Sequence, residues 1–152
     1  ECVFRTIDDE ALAVVVADDH PLVGKRRVEF AALCAFSWVL QPHGSPMRDL
    51  IDHEFRDHHA PLPKGLIETG SILTTINLIR GSQLIGVIPD AVAQQYAAHD
   101  VLRVLPYRFR QKLEAYGSVV RSDRPLSKPA QEFLALLHAP RNKAVAPARR
   151  RR

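Results

Sequence analysis

Cysteine is scarce in this chain: Cys2 and Cys34 are its only two, far apart and without a CxxC pairing. That spacing argues against a disulfide framework and a structural zinc site, and reduced thiols are the expectation. Cys34 stands among Ala31, Ala32, Leu33, Ala35 and Phe36, where it reads as a small apolar core residue rather than a nucleophile. Long apolar runs are missing too. No stretch approaches the roughly 18 residues needed to cross a bilayer, so no membrane partner is expected. The opening Glu1-Cys2-Val3-Phe4-Arg5 has no basic region followed by an apolar block, so no secretory leader is visible. An initiator methionine is also absent, which predicts a chain cut on its N-terminal side, from a cytoplasmic parent.

Motifs of catalysis are equally thin. No GxSxG elbow, GxxxxGK[ST] loop or GxGxxG fingerprint occurs. His53-Glu54-Phe55-Arg56-Asp57-His58 approaches the zinc-protease pattern, but that chemistry needs two histidines four apart on one helix face. Here they are five apart, about 100° of helix rotation out of line. His53, His58 and His59 therefore read as polar-face residues of an amphipathic helix. No enzyme, cofactor or metal is expected.

What is present is the composition of an ordinary folded protein, with 46% hydrophobic and 25% charged residues in 152, enough for one domain or two small lobes. The net charge of +4 is misleading. Arg141, Lys143 and Arg149 to Arg152 give the tail six positive charges and no acid, leaving the body at −2. A basic face for nucleic acid is not indicated, and residues 141–152 read as a disordered basic tail.

Ala11 to Ala17 is a short continuous apolar run whose valines favour a strand buried on both faces. A helical turn around Val28 to Leu33 and a strand at Trp38 to Leu40 follow. Ser45-Pro46 then opens a helix, since serine caps well and proline suits the first helical position. Met47, Leu50, Ile51 and Phe55 recur at helical spacing to about His59. Gly65 to Glu68 is a strand, and Ile72, Ile76 and Ile79 share a helix face that ends at Gly81. Leu84 to Ile88 is a strand, Pro89-Asp90 starts a helix to about Ala98, and Val101 to Leu105 and Leu113 to Arg121 are strands. A last helix from Ser127 is expected to bury Ala130, Phe133, Leu134 and Leu137. Such alternation means α/β with a largely parallel sheet.

Parallel sheets bind ligands beyond the carboxyl ends of their strands, where helices present free N–H groups. Two turns have that form. In Gln41-Pro42-His43-Gly44-Ser45-Pro46, glycine permits close approach and Ser45 supplies a hydroxyl; Glu68-Thr69-Gly70-Ser71 offers two more. Gly44, Ser45, Thr69, Gly70 and Ser71 are the candidate effector-binding residues. Arg48, in the first helical turn, works against the helix dipole unless an anion sits nearby or its side chain points to water.

The segments Asp19-His20-Pro21-Leu22, Trp38-Val39-Leu40, Gly44-Ser45-Pro46-Met47-Arg48, Ile67-Glu68-Thr69-Gly70-Ser71, Ile85-Gly86-Val87-Ile88-Pro89 and Asp123-Arg124-Pro125-Leu126-Ser127 occur in an order and spacing that resembles the effector-binding domain of LysR-type transcriptional regulators. The resemblance covers about Leu12 to His138. It implies a periplasmic-binding-protein-like (type 2) α/β fold, one lobe essentially complete and the other partial. On that plan 1–37 and 121–140 form the partial first lobe with its crossovers, and 38–120 forms the second. Ala11 to Ala17, placed in the partial lobe, would lack sheet partners and lie uncovered. The resemblance further implies a small effector, a carboxylate or phosphate, bound between lobes, a homo-oligomeric parent, and DNA contact only through a helix-turn-helix outside this chain. A solute-binding protein of the same fold for small-anion uptake is the alternative, and a small α/β enzyme the third class.

Overall fold

A computed structural model describes residues 1–139, so the basic tail expected at 141–152 lies outside the described residues. The elements in chain order are β1 (Cys2–Asp8), β2 (Leu12–Val16), α1 (Phe30–Leu33), β3 (Trp38–Leu40), α2 (Pro46–Asp57), β4 (Leu66–Glu68), α3 (Ile72–Arg80), β5 (Ile85–Pro89), α4 (Asp90–Ala97), β6 (Arg103–Val104), β7 (Tyr116–Arg121) and α5 (Lys128–Leu137). They fall into two compact units. Asp9–Glu114 is one, and Glu1–Asp8 with the described residues from Ala115 onward is the other.

The larger unit is built on a five-stranded sheet of order β4-β3-β5-β2-β6. β3 runs parallel to β4 and β5, whereas β2 is antiparallel to both of its neighbours, so one reversed strand sits inside an otherwise parallel sheet. Period-two alternation explains why β2 reads as an unbroken apolar run. Val14 and Val16 enter a core with Phe30, Leu33, Trp38, Leu50, Ile51 and Phe55, which lies under α1 and α2. Ala13, Val15 and Ala17 enter the opposite core with Ile76, Ile79, Ala93 and Leu102, under α3 and α4. Both faces are covered.

This position corrects the expectation that Ala11 to Ala17 belongs to a partial lobe and lacks partners. β2 pairs with β5 from Leu12↔Pro89 to Val15↔Gly86, and Val14, Val15 and Val16 are fully buried. The unit therefore extends upstream of residue 38. Gly86 on β5 permits this packing, because a Cβ there would collide with the Ile79 and Thr75 side chains of α3. α2 follows its sequence signals closely: Ser45 caps it, Pro46 occupies the first turn, and Met47, Leu50, Ile51 and Phe55 are buried.

The smaller unit is an antiparallel ribbon of β1 and β7, paired from Cys2↔Arg121 to Asp8↔Tyr116, together with α5. Tyr116 to Val120, placed on sequence grounds in the second lobe, thus pairs with the start of the chain. β1 was not anticipated as a strand: its charged and apolar residues carry no strong run, and its partner lies more than a hundred residues away. Gly117 is required here, since a Cβ would meet the Arg5 backbone carbonyl. α5 departs from expectation. It has no buried residue, and Phe133 is 63% exposed, so the burial foreseen for Ala130, Phe133, Leu134 and Leu137 is not present among the described residues. His138 closes the unit by pairing its Nε2 with Ser118 Oγ at 2.8 Å.

Candidate functional site

The two candidate turns leave adjacent parallel strands. Leu40 of β3 stands opposite Glu68 of β4, and the Thr69 N–H donates to the Leu40 carbonyl at 2.9 Å, extending the ladder by one step into the second turn. Gly44, Ser45, Thr69, Gly70 and Ser71 are thereby gathered at the carboxyl edge of one sheet, where α2 and α3 begin. Gly44 has φ +84°, a conformation that disfavours other residues, and the space a Cβ would take is open. Gly70 has no such requirement; it is simply exposed.

Every hydroxyl in the pair of turns already accepts a local hydrogen bond. Ser45 Oγ accepts from the Arg48 N–H at 3.1 Å, Ser71 Oγ from the Thr74 N–H at 3.2 Å, and Thr69 Oγ1 from the Ser71 N–H at 3.1 Å. These bonds fix the hydroxyl positions and use acceptor capacity only. Each O–H proton stays available to donate to an incoming oxyanion. The bonds also occupy several of the helix-start N–H groups, so hydroxyls rather than the helix backbone are the main donors here.

Arg48 is not the ligand-facing cation, nor the solvated one, that its position suggested. Its side chain is fully buried, with Nε donating to Asp52 at 2.8 Å, Nη1 to Glu68 at 2.6 Å and to the Gln41 carbonyl at 3.2 Å, and Nη2 to His43 Nε2 at 2.9 Å. Burial opposes its charge, but the hydrogen bonds it donates to Asp52 and Glu68, and the charges of those carboxylates, outweigh it and raise the guanidinium pKa above its ordinary value. The two carboxylates do what an anionic ligand would have done. The cluster ties both turns together, since Gln41 and His43 belong to the first and Glu68 opens the second.

A second polar cluster was not foreseen. Glu54 of α2 is fully buried, and its carboxylate accepts from the Tyr107 hydroxyl at 2.5 Å and from the Arg110 backbone N–H at 3.1 Å. His58 Nε2 lies 3.4 Å from the same carboxylate, and its ring stacks on Phe30. Burial and the Glu54 carboxylate together push the Tyr107 phenol well above its usual pKa. His53 and His59 are exposed, as a polar helix face requires, whereas His58 is half-buried. Among the described residues no group of three His, Cys, Asp or Glu could hold a metal ion, and no helix is long and apolar enough to cross a membrane. Cys34 is half-buried, and burial raises its thiol pKa, which disfavours the thiolate.

Comparison with known proteins gives this arrangement a lineage. The model of the LysR substrate binding domain matches residues 1–140. The chain is 33% identical over 137 residues to the HTH-type transcriptional regulator GbpR of Azospirillum brasilense, covering 90% of this chain and 40% of that protein. It is 26% identical over 122 residues to GbpR of Rhizobium radiobacter, again covering 40% of it. The chain thus spans about two-fifths of the length of these curated relatives. Among solved structures, the regulatory domain of Synechocystis PCC6803 CcmR in complex with 2-PG superposes with a TM-score of 0.76 at 23% identity, over 96% of this chain and 70% of that one. The effector binding domain of QuiR in complex with shikimate gives 0.71 at 19% identity, over 90% and 63%. The fold is periplasmic-binding-protein-like, with one lobe essentially complete and the other partial, and the chain belongs to the LysR substrate-binding-domain family.

Proposed function

We propose that this chain is the effector-sensing part of a LysR-type transcriptional regulator. It takes up a small carboxylate or phosphate at the paired turns of Gly44-Ser45 and Thr69-Gly70-Ser71. The observation that carries this reading is the register of β3 on β4, which brings two turns holding three oriented hydroxyls to the ends of neighbouring strands at one sheet edge. Asp9–Glu114 serves as the second lobe, and the ribbon of β1 and β7 with α5 as the described portion of the first. DNA is contacted by a helix-turn-helix elsewhere in the parent, which acts as a homo-oligomer in the cytoplasm. The body of this chain, at −2, supplies no electrostatic footing for phosphates. Ligand binding alters DNA affinity by favouring one of two arrangements of the parent, which requires that the effector bind those arrangements unequally. No catalytic role is assigned.

The test is Thr69→Ala/Ser71→Ala in the full-length regulator. A panel of small carboxylates and phosphate esters should include shikimate and 2-PG, the compounds held by two relatives of the fold. A hydrogen bond to a charged group contributes about 1.5–3 kcal/mol, so losing two hydroxyls weakens the effector response by roughly tenfold or more. A dose-response identical to that of the parent excludes these residues.

A further inference from the structure

A cleft of about 910 Å³ opens within the larger unit, and Gly44, Ser45, Thr69, Gly70 and Ser71 of the strand-end turns are not among its lining residues. Its apolar lining comes from Leu12, Val28, Leu50 and Leu105, together with the ring of Tyr107 and that of Phe109. The segment after β6 forms one wall. Burial alternates along it: Leu105, Tyr107 and Phe109 turn inward, while Arg108 and Arg110 are exposed, with Lys112 just beyond. Arg108, Arg110 and Lys112 nevertheless line the same cleft, and their exposure puts their cationic heads on its solvent side, beside an apolar interior.

The charges around this cleft are unequally committed. Glu29 pairs with Arg27, Glu54 is satisfied by Tyr107 and by a backbone N–H, and Asp90 accepts from Gln94. Arg108, Arg110 and Lys112 take part in none of the ion pairs identified among the described residues. Arg110 offers its backbone N–H to Glu54, and its guanidinium, whose charge acts on Tyr107, donates none of the hydrogen bonds identified among the described residues. The wall is also held in place: two bonds to a fully buried carboxylate anchor the segment at Tyr107 and Arg110, which fixes the arginines relative to the apolar interior. An apolar interior with a few converging polar groups is the general form of a small-molecule site, and a guanidinium pair favours a carboxylate.

We infer that this cleft is a second ligand site, distinct from the paired turns, and that it takes a carboxylic acid with an aromatic or similarly apolar body. The body lies on Val28, Leu50 and Leu105, and the carboxylate meets Arg108 and Arg110. The inference does not depend on the strand-end assignment.

Equilibrium dialysis of the full-length regulator with radiolabelled benzoate tests it, with inorganic phosphate as competitor. The expected result is saturable benzoate binding that phosphate does not displace. Arg108→Ala/Arg110→Ala weakens it by about tenfold or more, and Arg108→Lys/Arg110→Lys retains part of it. Both arginines are exposed, so thermal unfolding of these variants stays at the parent value. Thr69→Ala/Ser71→Ala leaves this benzoate binding intact. Absence of saturable binding, equal affinity in the double alanine variant, or displacement by phosphate overturns the cleft as an apolar-carboxylate site. If instead only Thr69→Ala/Ser71→Ala removes benzoate, the cleft is overturned while the strand-end site stands.

Discussion

The Glu54 carboxylate and the Tyr107 hydroxyl, 53 residues apart in sequence, meet at 2.5 Å inside the larger unit. Glu54 has no exposed surface, so its hydrogen bonds replace water outright. Removing it strands the Tyr107 O–H and the Arg110 N–H together. Glu54→Ala should cost about 3 kcal/mol, read as a lower urea midpoint, whereas Tyr107→Phe, which leaves the Arg110 bond in place, should cost about half of that. A double-mutant cycle checks the assignment. Strictly additive losses would mean that the two groups do not interact.

The Arg48 cluster makes a different demand. Asp52 and Glu68 retain some exposure, so water relieves them partly when the guanidinium is removed. Arg48→Met should destabilise by roughly 2 kcal/mol, below the 3–5 kcal/mol typical of breaking a wholly buried pair. Arg48→Lys should recover only a fraction, because an ammonium cannot reach Asp52, Glu68, Gln41 and His43 in one plane. Full recovery by lysine, measured by thermal unfolding, would show that charge alone matters.

These two clusters mark where the sequence stops being legible. α2 was readable in detail because its cap, its proline and its apolar spacing are local. β2 was readable as a strand buried on both faces but not as a member of this sheet, since an apolar run does not name its neighbours. Arg48 stood out as a cation in the wrong helical turn, yet the carboxylate that answers it, Glu68, lies 20 residues on. The paired turns stand out in the sequence because capping residues announce themselves, and their adjacency follows from a parallel register no local pattern encodes. α5 shows the reverse failure, with a sound apolar period whose face is largely exposed among the described residues.

Because β2 is an interior strand, its amides should exchange as slowly as those of β5. Hydrogen exchange followed by mass spectrometry should show Ala13 to Val16 and Ile85 to Ile88 opening as one protected block. Markedly faster exchange in β2 would return it to the periphery that its sequence context suggested.

Gly86 offers a steric test of the same sheet. A Cβ there would overlap the tip of the Ile79 side chain and crowd Thr75, so Gly86→Ala forces the Ile79 side chain to turn or α3 to shift. Overpacking of this kind costs about 1–3 kcal/mol. The added Ile79→Ala should restore part of that loss, since it vacates the space the new methyl needs. If Gly86→Ala melts with the parent, the close approach of α3 is wrong.

His20 gives the larger unit a pH dependence whose sign is fixed by burial. The ring is almost wholly enclosed against Phe36, and its Nδ1 accepts from the Leu22 N–H at 3.2 Å, so the neutral ring carries its proton on Nε2. Burial lowers its pKa below the ordinary 6.5, and the opposing pulls of the Gln83 backbone and the Asp19 charge do not overcome it. The unfolded chain therefore takes up this proton first as pH falls, and stability rises with pH wherever the unfolded state binds more protons. The contribution of His20 should be constant above the unfolded value, and stability should decline from about pH 6.5 downward through the folded pKa. His20→Asn keeps an acceptor for Leu22 without titrating. Urea midpoints of parent and variant, compared between about pH 7.5 and 5, should converge toward acid because only the parent loses stability through this group. A constant difference across that range would show that His20 is not held neutral.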